Sequence, residues 1–259
     1  MLRLGRVSYI NTFPVEWALT RHLDAGEVRE VVAVPTELNR MLDARELDVA
    51  NVSSIEYARN PERYVLLPSL CIGSDGAVES VQLVTQLPLP AVRTIAVTSD
   101  SATSVVLVKV LVPHAEILPE GAEADARLMI GDAALHSAFS DPTPHHDLGA
   151  LWRERTGLPM GFAVWAAQRD CDPAALGRID RALRGAVAES SEHADLVAKA
   201  AGERHGFPAG YLARYFEKLR YGFGERERAG LERFYALAAE RGAIAGTPEL
   251  RFADTARVR

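Results

Sequence analysis

Short polar side chains gather at four points where an apolar, strand-like run gives way to a helix-like one. They are Ser8-Tyr9-Ile10-Asn11-Thr12, Asn51-Val52-Ser53-Ser54, Thr98-Ser99-Asp100-Ser101-Ala102-Thr103-Ser104 and Gly131-Asp132-Ala133-Ala134. In open α/β sheets, ligands bind beyond the carboxyl ends of the strands, where helices begin. The first amides of a helix have no intrahelical acceptor, and the helix dipole puts its positive end there. Serine and threonine hydroxyls add further donors. Such a turn can hold a carboxylate or phosphate without any lysine or arginine. Ser101, Thr103 and Ser104 in the richest of these turns are therefore candidate anion ligands, with Ser53 and Ser54 beside them. Each could serve only as a helix cap, but the recurrence of the pattern at four strand ends favours a shared site.

Three further residues belong to this set. Asn11 comes shortly before Pro14, so it is a turn or cap residue or a ligand contact. Ser80 sits inside the β-like run AVESVQLVT, where serine is a poor strand former. If that run crosses between two lobes, its hydroxyl faces the cleft. Asp132 could cap the next helix, pair with a distant arginine or face the ligand, although a carboxylate beside an anion is repelled. His136, on a helix-like stretch, is a candidate acid or base. His145-His146-Asp147 lacks a third partner at metal-binding spacing and reads as a loop. There is no Walker A loop, GxGxxG or Ser-His-Asp order, so neither a cofactor nor a metal is expected.

The elements that must position these residues follow from periodicity. Strand-like runs at 2–10, 31–34, 47–52 and 64–68 alternate with helix-like runs at 14–22, 36–45 and 53–59, with Thr36 a plausible cap. This order predicts a mostly parallel sheet covered by helices. After the long β-like segment 77–85, Pro88 and Pro90 interrupt regular structure. The pattern then restarts with strands at 94–98, 116–118 and 128–130, a helix at 103–111, and the apolar run GFAVWAA at 161–167. We expect two β/α lobes: a larger one from 1–85 plus 168–259, and a smaller inserted one from 86–167. Two crossings between lobes make a hinge with a ligand cleft. From Pro173, placed as a first helical residue after Asp172, the chain reads as helical to Gly242, with Leu219 in one apolar stripe. The residues after Pro248 are expected to fray.

Composition narrows the partners. The 259 residues are 48% hydrophobic and 25% charged, ordinary for a globular protein, and carry a net charge of −6. That sign argues against nucleic acid or acidic membrane as a general partner. Attraction for an anion must then come from local donors. Cys71 and Cys171 form no CxxC and read as reduced thiols, although a bond between them stays open. Arg3 and Arg6 interrupt any signal-peptide pattern, and no apolar run is long enough to span a bilayer. A cytoplasmic protein is expected; its oligomeric state is not legible.

The stretches RVSYINTFPVEWAL, LDVANVSSIEYA, CIGSDGAVESVQLVT, IAVTSDSATSVVLVKVL, LMIGDAAL, HDLGALWRERTGLPMGFAVWA and YFEKLRYGFG, in this order, closely resemble the MqnA family, the chorismate dehydratases of the futalosine route to menaquinone. The resemblance implies a type-II periplasmic-binding-protein fold used as an enzyme. It implies loss of water from the dianion chorismate to give 3-[(1-carboxyvinyl)oxy]benzoate. It also implies that Asn11 and Ser80 lie nearest the reacting ring, and that Thr103 and Ser104, with Ser101, bind carboxylate. His146 stands where a tyrosine often precedes DLG, and Met160-Gly161 where bulkier apolar residues are usual, which bears on cleft shape. Two other readings are a binding protein or sensor for a small carboxylate, and the sister lyase acting on a cyclic futalosine derivative. That sister is expected to use a histidine base.

Overall fold

The computed structural model describes residues 1–24 and 26–255. Strands β1 (Leu2–Val7), β2 (Val28–Ala33), β3 (Val49–Ser53) and β4 (Tyr64–Ser74) alternate with helices α1 (Phe13–His22), α2 (Pro35–Asp43) and α3 (Ser54–Arg59). The chain continues through β5 (Val81–Val84), β6 (Thr94–Ala96), α4 (Ala102–Leu111), β7 (Glu116–Leu118), β8 (Ala126–Ile130), α5 (Gly131–Ser140), β9 (His145–Asp147) and α6 (Leu148–Thr156). It closes with β10 (Met160–Gln168), α7 (Pro173–Glu192), α8 (Ala194–His205), α9 (Ala209–Lys218), β11 (Leu219–Gly222) and α10 (Glu225–Glu240).

Two sheets result. The first has six strands in the order β11-β4-β10-β3-β1-β2, and the second five in the order β7-β6-β8-β5-β9. β1 runs parallel to both β2 and β3, while β10 is antiparallel to β3 and β4. β3 is buried along its whole length. Being covered on both faces, it reads as the continuous run VANVS and not as an alternating one. One face of this sheet packs Leu4, Val49 and Trp165 against Val15 and Leu19 of α1 and Ile179 and Leu183 of α7. Burial of each such aliphatic side chain contributes roughly 1.5–3 kcal/mol.

The chain changes sheet between Ser74 and Val81 and returns between Asp147 and Met160. These crossings fall before residues 85 and 167, because β5 pairs with β8 and β9 whereas β10 lies in the first sheet. Several local expectations also shift. β4 runs on through Pro68 to Ser74, its pairing with β10 irregular between Leu66 and Cys71, where proline removes a ladder donor. α2 begins at Pro35, one residue before Thr36. Leu219 leaves the helical stripe to start β11, which pairs with β4. His145–Asp147 forms an edge strand and not a loop. The tail after Pro248 is anchored, since Leu66 N–H donates to Arg251 O (2.8 Å) and Ala253 N–H to Leu66 O (2.8 Å). Residues 256–259 of the tail expected to fray lie outside the described residues. Asp172 does cap α7, accepting from the amides of Ala174 and Ala175. Cys71 and Cys171 are both free thiols.

Candidate active site between the lobes

At the end of β1 the fully buried Thr12 folds the chain back on itself. Its hydroxyl lies 2.7 Å from the carbonyl of Val7 and 2.9 Å from that of Tyr9. The resulting 3-10 turn, Ile10–Thr12, presents Asn11 to the cleft, and the Tyr221 hydroxyl holds the Asn11 carbonyl at 2.8 Å. Asn11 Oδ1 is buried and has no partner within the protein.

At the end of β3, Asn51 and Ser53 also line the cleft. Both amide atoms of Asn51 and the Ser53 hydroxyl are buried without a partner, although the Ser53 amide donates to Asn39 Oδ1 (3.1 Å). Buried polar atoms are ordinarily paired, so three such side chains on one cavity wall indicate groups kept for something bound there. Ser54 and Thr103 behave differently. The Ser54 hydroxyl donates to Gly161 O (2.8 Å), and Thr103 Oγ1 accepts from Ile55 N–H (3.1 Å) and lies 3.2 Å from Ser54 Oγ. Their side chains tie α3 to α4 across the lobes and do not line the cleft.

From the smaller lobe come Ser101 and Ser104. Ser101 caps α4, accepting from the Ser104 amide (3.3 Å), and the two hydroxyls are 2.9 Å apart. Both line the cavity at the positive end of the helix. Ser80 lies on the first crossing, just before β5, and is 2% exposed. Asp147 organises that crossing. Its carboxylate accepts from the amides of Val78 (3.0 Å) and Glu79 (2.6 Å), from Gln82 Nε2 (2.9 Å), and from Ala150 at the start of α6 (3.0 Å). Sequence reasoning missed this role, for which an aspartate opening the DLG helix start was the available signal.

The cavity encloses about 510 Å3 counting its open mouth. Val7, Ile72, Val78, Ile130 and Phe162 supply apolar walls, and Tyr9 an aromatic one. Among the described residues lining it there is no Lys, Arg, His, Asp or Glu. Tyr9 is the one titratable group, and burial together with the Asp100 carboxylate raises its pKa well above the ordinary phenol value. It is held protonated, with its hydroxyl 3.3 Å from Asp100 Oδ2. Asp132 is not in the wall. It accepts from the Ile10 amide (2.9 Å), which is where its expected ligand-facing role departs from the geometry. His136 stacks on Phe207, ring centres 4.2 Å apart, and also lies away from the cavity lining.

The fold and cleft define a two-lobed α/β protein of the periplasmic-binding-protein type, with a site of neutral hydrogen-bonding groups for a small molecule. The model of a menaquinone biosynthesis family matches residues 2–240, and the chain belongs to that family. It is 34% identical over 257 residues to a chorismate dehydratase of Thermus thermophilus, covering 89% of this chain and 93% of that one. It is 28% identical over 232 residues to the 1,4-dihydroxy-6-naphtoate synthase of the same organism, covering 83% and 85%. Among solved structures, an Archaeoglobus fulgidus protein superposes with a TM-score of 0.80 at 21% identity, covering 94% of this chain and 98% of that one. The alkanesulfonate-binding protein SsuA of Xanthomonas axonopodis gives 0.69 at 13%, covering 97% and 96%.

Proposed function

We propose that this chain is a chorismate dehydratase, a hydro-lyase of menaquinone biosynthesis. The observation that carries the reading is the wall of buried, unpartnered amide and hydroxyl groups at Asn11, Asn51 and Ser53, opposite the helix start at Ser101 and Ser104. Asn51 Nδ2 and the Ser53 hydroxyl are donors suited to a carboxylate, and Asn11 Oδ1 and Asn51 Oδ1 are acceptors for a substrate hydroxyl. The described residues of the wall carry no cation, which fits a dianion held by hydrogen bonds. Relatives bearing that activity support the assignment.

Chorismate loses the proton from the ring carbon that bears the ether, and the neighbouring 4-hydroxyl departs with the electron pair as water forms. The ring becomes aromatic, which drives the step. Among the described residues no side chain of the cavity wall is a base at neutral pH, since the Tyr9 hydroxyl is held protonated. The substrate's own enolpyruvyl carboxylate takes the ring proton, folded over the ring by the protein. Asn11 and Ser80 orient the reacting groups and hydrogen-bond the departing hydroxyl. Ser101 and Ser104 hold a carboxylate, the amides at the start of α4 assist, and closure of the lobes excludes water. A cavity wall without histidine among the described residues favours this reading over the sister lyase with a histidine base. The free thiols Cys71 and Cys171 agree with action in the cytoplasm.

The test is turnover of chorismate by the purified protein, followed by mass or NMR detection of the dehydrated product. Asn11→Ala and Ser80→Ala should each lower kcat by roughly 100-fold, the loss of one transition-state donor. Near-normal rates in both variants would remove these residues from the reacting centre. A His136→Ala variant that binds chorismate without converting it would reinstate a protein base.

A further inference from the structure

The first two residues of α5 bond to Ser80 and to the residue before Asn11, Gly131 from the cavity wall and Asp132 from behind it. The Gly131 amide donates to the Ser80 carbonyl (2.8 Å). One residue on, Asp132 Oδ1 accepts from the amide of Ile10 (2.9 Å), the residue before Asn11. Gly131 has φ +59°, and a Cβ there would lie 2.9 Å from the Tyr9 ring. That backbone conformation and that space both require glycine. His205 Nδ1 stands 3.7 Å from Asp132 Oδ2, and its ring meets Phe13, the first residue of α1, edge-on at 5.7 Å. The turn carrying Asn11 belongs to the larger lobe. Gly131 and Asp132 belong to the smaller one.

We propose that Gly131 and Asp132 are positioning residues that set Asn11 against Ser80 when the lobes meet. The assignment rests on the reading of Asn11 and Ser80 as the reacting-centre contacts. The Asp132 bond to Ile10 joins the two lobes, so opening them breaks it and leaves the Asn11 turn held only from within the larger lobe, by Thr12 and Tyr221. Closure therefore assembles the two contacts in register, through one dipeptide that has a backbone bond to Ser80 and a side-chain bond to the neighbour of Asn11. A carboxylate close to a dianion site is tolerated because it lies outside the cavity wall, with one oxygen accepting from the Ile10 amide and the other 3.7 Å from the His205 ring.

The experiment compares Asp132→Ala, Asp132→Asn and the parent protein in steady-state turnover of chorismate, with the Ile10 amide resonance recorded for each. Asparagine keeps an acceptor for Ile10 and discards the charge. Loss of this bond in Asp132→Ala should lower kcat roughly 10-fold or more, with KM moving less than about 3-fold, and Asp132→Asn should recover most of the rate. The Ile10 amide should shift upfield in the alanine variant and return in the asparagine one. Parental kcat in Asp132→Ala, equal loss in both variants, or an Ile10 resonance indifferent to the substitution would each overturn the proposal. If the parent protein fails to convert chorismate, the functional reading falls, while the Ile10 resonance still decides whether Asp132 holds the turn.

Discussion

Ser53 carries a hydroxyl that the protein buries and leaves without a partner. A buried hydroxyl costs stability when nothing pairs with it, so Ser53→Ala should leave the melting temperature unchanged or raise it. The same change should raise KM for chorismate by about 5-fold, the worth of one neutral hydrogen bond. A thermal melt beside steady-state kinetics checks both, and a variant that is destabilised with an unchanged KM would assign Ser53 to the fold. At this scale the sequence located turns that the structure brings to one cavity, but not the use of each side chain. Ser53 and Ser54 are adjacent and chemically identical, yet Ser54 is tied to Gly161 O and Thr103, residues far from it in the chain. Asn51 could be placed at a strand end from the sequence, but the loneliness of its amide depends on what surrounds it.

At the scale of elements, the contact between the start of α5 and the end of α8 brings His205 beside Asp132. Burial lowers the pKa of His205 below its ordinary 6.5, and the Asp132 charge only partly opposes this. The folded protein thus binds this proton less readily than the unfolded chain. His205 contributes stability that is full above pH 6.5 and is lost as the pH falls through its lower folded value. Replacing it with asparagine should flatten the decline in melting temperature between about pH 7 and 5, and an unaltered profile would show that other groups cause it. Asp132 is shifted upward by burial, so its contribution has the opposite sign, present below its ordinary 3.8 and lost as the pH rises. Elements with strong periodicity, such as α7, lie where the sequence put them. β11 does not, because its four residues continue an amphipathic helical pattern and are captured by the edge of β4.

For the whole molecule, a net charge of −6 surrounds a cavity whose wall holds no cation among the described residues. A dianion approaching it is repelled at long range and held only at contact. Salt screens the first effect far more than the second. The kcat/KM for chorismate should therefore rise as NaCl is increased from about 20 to 200 mM, the reverse of a site steered by lysines and arginines. A steep fall with salt would point to cationic capture and would contradict the cleft chemistry described here.

Alternation of apolar and polar runs determined, without any coordinates, that this chain forms β/α units in two lobes. The types of residue at the strand ends gave the expectation of an anion site where those ends meet. Those properties are local, set by backbone preferences and by the unpaired amides of each helix start. Only the tertiary structure decided which hydroxyls are consumed in joining α3 to α4, where the chain changes sheet, and that Asp132 turns to Ile10 and not to the cavity. These outcomes depend on partners more than forty residues away, and a side chain's availability to a ligand is fixed by those partners and not by its own identity.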